Sequence, residues 1–183
     1  MVTKIGFGSI INFDIRSLPS KLGLWLVSNY DPTSDELNLG THVIKVTAQT
    51  VHEILGIPLG KVKFNKLKNP SMKNHVVAEF RKQYYNGQKL PTPRNVLDHL
   101  AKSKDTGRLF KLNFLTVYMT IMAEITQGGT LYMKFLPFLE EGVHIKSFDW
   151  CSLVLACLNK TVRKYIGKQF TGPLTFLTVC YFL

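Results

Sequence analysis

A mainly α fold is what this sequence predicts: a single helical domain with a small two-stranded β element near its N-terminus. Three observations carry that expectation. Apolar residues recur at helical spacing along much of the chain, as in Met72, Val76, Phe80 and Tyr84 or in Phe114, Val117, Tyr118, Ile121 and Ile125. Extended-type patterning with a turn is confined to residues 36–46. The 183 residues, 45% hydrophobic and 19% charged, suffice for one sizeable core, which excludes chain-wide disorder and leaves little room for a second domain. No internal repeat is visible, so solenoid architectures are excluded as well.

The elements follow in order. Ile10 to Ile15 reads as an extended stretch, and Pro19 as the start of a helix with Leu18, Leu22, Trp25, Leu26 and Asn29 on one face, ended by Asp31-Pro32. Leu37, Leu39, Val43, Ile44 and Val46, arranged around Gly40-Thr41, predict two short strands joined by a turn. Thr47 can cap a short helix carrying Val51, Ile54 and Leu55, which Gly56 and Pro58 terminate. Turn residues at Asn69-Pro70, Asn86-Gly87, Pro91 and Pro93 then separate two one-sided helices, the second carrying Val96, Leu97 and Leu100. A helix beginning near Phe110 is apolar nearly all round, with Leu112, Leu115, Met119 and Met122 on its remaining faces, and so belongs at the centre of the fold. Past Gly128-Gly129, the apolar run Leu131 to Leu139 is interrupted by Pro137. Ser147 then looks like the cap of a helix whose acid comes first, at Asp149, and whose bases, Lys160, Arg163, Lys164 and Lys168, come last, the order the helix dipole favours. Gly167 can close that helix, and Gly172-Pro173 can open the last one. Trp25 and Trp150 are expected to be core anchors.

Net charge is +11, and its distribution says more than its size. Residues 61–111 hold thirteen bases against three acids, Glu79, Asp98 and Asp105, so this one segment carries almost all of the excess. Such a field attracts polyanions. The candidate contacts are Lys61, Lys63, Lys66, Lys68, Lys73, Arg81, Lys82, Arg94, Lys102, Lys104 and Arg108. Lysine outnumbers arginine ten to three there, which also fits a solvated face kept for solubility. No zinc finger, helix-turn-helix or RNA-binding signature accompanies the charge.

Motifs for chemistry fail on inspection. Gly56, Gly60 and Lys61 imitate a phosphate-binding loop, but three residues separate the glycines and Val62 stands where a hydroxyl is needed. Gly6 and Gly8 lack the third glycine of a dinucleotide fingerprint. His52-Glu53 begins like a zincin, yet position 56 is glycine; His75 and Glu79 share a helical face without further ligands. Cys151, near a helix start beside Asp149 and Trp150, falls on the apolar face and reads as a structural thiol rather than a nucleophile. Cys151, Cys157 and Cys180 have neither metal-knuckle nor disulfide-framework spacing, and with no signal peptide an intracellular chain is expected. The sequon at Asn159 lies inside a helix and is read as chance. No apolar run reaches the roughly 18–20 residues of a membrane span, and no cofactor is expected.

One resemblance adds direction. The run VTAQTVHEILGIPLGKV at 46–62 resembles a signature of the plant mobile domain family, also labelled aminotransferase-like, and of related plant transposon-encoded proteins that carry a ubiquitin-like-protein-specific protease domain downstream. The match is carried by Thr47, Val51, Leu55, Gly56, Ile57, Pro58 and Gly60, with Thr50 where an acid is usual. Residues 5–32 are similar to the N-terminal segment of those proteins, and FDWCSLVLACL followed by FTGPLTFLTVCYFL to their tryptophan-cysteine and closing helices. The resemblance implies a helical, non-catalytic nuclear module of transposon origin, its basic segment contacting DNA or an acidic nuclear protein. The alternative it implies is the N-terminal fragment of a cysteine protease polypeptide whose catalytic domain lies elsewhere. The closing pattern Leu174, Phe176, Leu177, Val179, Cys180, Tyr181 and Phe182 has no polar last turn, so the sequence leads one to expect a domain continuing past Leu183 and, failing that, self-association through this apolar helix.

Overall fold

The computed structural model describes residues 1–13, 19–64, 71, 73–84, 91–104, 106–124, 129–167 and 169–182. It is mainly helical: α1 (Ser20–Ser28), α2 (Ala48–Leu55), α3 (His75–Lys82), α4 (Pro93–Lys102), α5 (Arg108–Met122), α6 (Trp150–Arg163) and α7 (Leu174–Tyr181). Leu18, Met72, Ile125 and Gly128, and the turns expected at Asn69-Pro70 and Asn86-Gly87, lie outside the described residues.

The β element has three strands, not two: β1 (Tyr30–Asp31), β2 (Glu36–Asn38) and β3 (Val43–Lys45), antiparallel in the order β1-β2-β3. Strand β1 takes residues that the sequence assigned to the end of α1, because that helix stops at Ser28, with Asn29 donating its side-chain amide to the Trp25 carbonyl at 2.8 Å. Two residues are too few to show a period. Tyr30 is nevertheless fixed, buried and donating its hydroxyl to Asn159 of α6 at 2.7 Å. Asp35, in the turn between β1 and β2, adopts a positive φ of 55° without being glycine. Its carboxylate accepts from the Asn159 amide at 2.6 Å, and its carbonyl from the Val46 N–H at 2.8 Å.

Further differences have local causes. Where the sequence predicts Ile10 to Ile15 to be extended, Gly8–Asn12 forms a 3-10 turn and only Phe13 is extended, positions 14 and 15 lying outside the described residues; among the described residues no strand pairs with this segment, and the preceding Phe7 is drawn fully into the core. The cap of α6 is Asp149, accepting from the Ser152 N–H at 2.9 Å, while Ser147 instead closes a short 3-10 turn by donating to the His144 carbonyl. Phe148 and Asp149 are held extended by bridges to Val62 and Leu59, which delays the helix by two residues. Thr47 caps α2 in a reciprocal box with Thr50, and Gly56 ends it in the left-handed region, as the sequence predicts.

Trp150 stands at the centre of the core, with ring contacts to Phe7 at 5.4 Å, Phe64 at 4.8 Å and Phe135 at 5.4 Å, and its indole N–H donates to the Ile145 carbonyl. Trp25 is no core anchor: 42% exposed, it meets Tyr181 edge-on at the surface. Helix α5 is central and touches α3, α4 and α7, although Ile121 faces outward. Its buried Thr116 and Thr120 hydroxyls donate back to the carbonyls four residues earlier, and Asn113 donates to Gln83, the residue that follows α3. Helix α7 packs on α1, α2 and α5, burying Phe176, Leu177 and Cys180 and leaving exposed Tyr181, which meets Trp25, and Phe182, which meets Tyr181. Among the described residues no helix is long and apolar enough to cross a membrane.

Candidate nucleic-acid interface

The eleven basic candidates fall into distinct physical groups. Lys61 and Lys63 are exposed on an extended stretch that follows α2, fixed by backbone bonds from Gly60 N–H to the Phe148 carbonyl (3.1 Å) and from Val62 N–H to the Ser147 carbonyl (2.9 Å). Gly60 is required there by space, since a β-carbon would sit 2.1 Å from the Ser147 carbonyl oxygen. Lys73 precedes α3, Lys82 lies in its last turn, Lys102 in the last turn of α4, and Lys104 just beyond. All six lysines are exposed, and none forms an ion pair with a described residue. Lys66 and Lys68 lie outside the described residues.

The three arginines are placed differently. Arg108 donates from Nε to the Glu79 carboxylate at 2.9 Å and from its terminal nitrogen to the Leu139 carbonyl at 2.7 Å, tying α5 to α3 and to the 3-10 turn at Leu136–Phe138. This bond also offsets a cation at the positive end of α5, and it occupies the carboxylate that His75 would have shared with a metal. Arg81 is half-buried, its Nε has no hydrogen-bond partner among the described residues, and burial lowers its pKa. Arg94 pairs with Asp98 one turn along α4 at 3.1 Å. Outside the segment, Arg163 donates to the Pro32 carbonyl.

Other ionisable groups tighten the structure. Lys160 of α6 donates to both Glu124 oxygens, at 2.7 and 2.8 Å, and Lys134 lies 3.9 Å from the same carboxylate. Burial lowers the pKa of Lys134; it opposes the charge of Lys160 too, but there the bonds to Glu124 carry the net shift upward. The His52 ring donates from Nδ1 to the Ile57 carbonyl, clamping the turn after α2. Cys151, Cys157 and Cys180 are free and buried, and burial pushes their thiols up to about 12, 11 and 11. Among the described residues no group of three or more His, Cys, Asp or Glu is placed to hold a metal ion.

The structure also brings together lysines that sequence reasoning left apart. Lys4, Lys111 and Lys146 line one cleft of about 280 Å³ with His144. A second cleft of about 350 Å³ adjoins it through Lys111, Val143, His144 and Ile145, and carries Glu140 and Glu141. Nothing in the sequence joins positions 4, 111 and 146; only tertiary folding does.

Over residues 1–178 the chain matches the family described as a domain of unknown function, DUF8566. The chain belongs to that family. The DUF8566 match spans every basic residue named above and all the helices up to the last turns of α7. Comparison with curated proteins finds no match, nor does comparison with solved structures.

Proposed function

We propose that this DUF8566 domain is a non-catalytic module that holds nucleic acid through its lysines, without reading sequence. The observation that carries the reading is the division of labour between the two cations. The described arginines are engaged inside the protein or with a neighbouring carboxylate, apart from the half-buried Arg81, whereas Lys61, Lys63, Lys73, Lys82, Lys102 and Lys104 stand exposed and without ion-pair partners among the described residues. Guanidinium groups read base edges bidentately; ammonium groups act as point charges on phosphates. A lysine surface therefore gives affinity that is electrostatic and indifferent to sequence. The burial of all three thiols supports the non-catalytic part of the proposal, because a raised thiol pKa opposes formation of the nucleophilic thiolate. Transposon origin and nuclear location belong to the same proposal and rest on the resemblance of residues 46–62. Self-association is proposed too, on the apolar C-terminal helix, whose exposed Tyr181 and Phe182 lie on the same side as the exposed Trp25 that Tyr181 contacts.

Fluorescence anisotropy with two unrelated DNA duplexes tests the reading. Neutralisation of about five phosphates gives a slope of roughly −4 to −5 for log K against log salt, with both duplexes bound alike. Replacing Lys61, Lys63, Lys66 and Lys68 by Glu weakens binding. Absence of binding at low salt, or unchanged affinity in that variant, removes the proposal.

A further inference from the structure

We propose that the cleft lined by Lys4, Lys111, His144 and Lys146 is a binding site for a phosphoryl group carried by a small molecule, distinct from the lysine surface above and independent of nucleic-acid binding. Three cations from three separate parts of the chain converge on one cavity of about 280 Å³, and no acidic residue among the described ones lines it. None of the three lysines is ion-paired with a described residue. Glu140 and Glu141 line the adjoining cavity, which shares Lys111 and His144 with this one, and neither is ion-paired with the three lysines. Gathering like charges in a concave site opposes folding, and the same concavity focuses their field on an incoming anion.

The fold brings these positions together, with Lys111 half-buried and Lys4, His144 and Lys146 exposed at the rim. Lys4 sits on a tight turn, its N–H bonded to the Met1 carbonyl at 2.9 Å, with the Phe7 N–H bonded to Val2 at 3.0 Å. Phe7, fully buried against Tyr118 and Trp150, anchors that turn in the core. Gly6 then lets the turn approach Lys146: at φ +89° it adopts a conformation that favours glycine, and a β-carbon would meet Pro58 at 2.6 Å and the Lys146 side chain at 3.3 Å. Lys146 belongs to the 3-10 turn Ile145–Ser147, and Lys111 lies in the first turn of α5, where the helix dipole adds a further positive contribution.

The second cavity sets the class of ligand. It begins where the first ends, shares Lys111 and His144, and offers the Glu140 and Glu141 carboxylates along with apolar Leu112 and Leu139; Arg108 lines it too, but its guanidinium is engaged with Glu79 and the Leu139 carbonyl. A ligand with a phosphoryl group at one end and hydroxyl or amino donors at the other, such as a mononucleotide or a sugar phosphate, matches that polarity end to end. The two volumes together fall within the range of ordinary small-molecule sites, about 300–1,000 Å³.

Isothermal titration of the full chain at low salt, with inorganic pyrophosphate, ADP and a 5′-phosphorylated oligonucleotide as probes, tests the site. Pyrophosphate and ADP are expected to bind with Kd of about 0.1–1 mM, and Lys4→Gln/Lys111→Gln/Lys146→Gln to weaken both by at least about tenfold. Lys61→Gln/Lys63→Gln is expected to leave both unchanged, which keeps this result separate from the fate of the DNA-binding reading. ADP binding tighter than pyrophosphate assigns the second cavity to the rest of a free ligand; binding of the phosphorylated strand end alone overturns the small-molecule assignment. Should the triple variant fold poorly, Lys146→Glu at its exposed position serves in its place, with the same loss expected. No binding of pyrophosphate or ADP, or equal binding by parent and variant, overturns the proposal.

Discussion

Replacing Gly60 by alanine should destabilise the fold more than replacing a glycine whose backbone is unusual but whose surroundings are open. At Gly60 the added β-carbon would lie 2.1 Å from the Ser147 carbonyl oxygen and 2.7 Å from that of Lys146, both backbone atoms that cannot rotate away. Relief requires the 58–62 strand to separate from 147–150, which strains the bonds Gly60 N–H to Phe148 O, Val62 N–H to Ser147 O, Asp149 N–H to Val62 O and Trp150 N–H to Pro58 O. At about 1 kcal/mol net for each bond, loss of two to four of them costs about 2–4 kcal/mol. Gly142 is the control, with φ +81° and nothing within 4 Å of a β-carbon. Alanine there meets only the left-handed conformational penalty of about 1–2 kcal/mol. Urea denaturation followed by circular dichroism reads the difference, and with an m-value of about 2 kcal/mol/M the Gly60→Ala midpoint should fall by about 1–2 M. A Gly60→Ala midpoint equal to or above that of Gly142→Ala would refute the steric argument.

Three further outcomes are expected. Thr47→Ala removes the α2 capping box and should cost about 1 kcal/mol in the same urea assay, with Thr50→Ala costing a comparable amount. Because the folded thiols of Cys151, Cys157 and Cys180 titrate near 12, 11 and 11 rather than 9, their contribution is fully present below pH 9 and declines as pH rises from 9 toward 11–12; the urea midpoint should fall from pH 9 to pH 10.5, and an Ellman-type reagent should label the native thiols slowly and the unfolded ones fast. Sedimentation velocity should show concentration-dependent association, reduced by Trp25→Ser/Phe182→Ser at the exposed edge; a clean monomer across the concentration range would refute that use of the edge.

Much of the helical framework was legible because its signals are local. Thr47, Gly56 and Pro58 bracket α2, and the apolar register of 112–122 places α5 in the core. What escaped depends on contacts made at a distance. The composition around Trp25 and Trp150 is similar, yet one is surrounded by Phe7, Phe64 and Phe135 and the other faces solvent, a difference set by which elements happen to cover each. Ser147 and Asp149 are both competent caps, and the bridge from 59–62 decides between them. The charge count located the basic segment, but it could not reveal that Arg108 is engaged with Glu79 or that Lys4 and Lys146 stand beside Lys111.

The bonding of Asp35 and Tyr30 to Asn159 says something about the order in which the chain assembles. Strands of two and three residues have no stability of their own, and the left-handed turn at Asp35 opposes the sheet further. The hydrogen bonds that compensate come from α6, about 125 positions later in the chain. The sheet is therefore expected to be a late and dependent unit, stable only with α6 docked. Its amides, those of Asn38 and Val46 among them, should exchange with solvent at the pace set by undocking of α6 rather than by fraying of the hairpin itself. Shortening Asn159 to alanine should uncouple the two, turning the sheet into the first part of the fold to open.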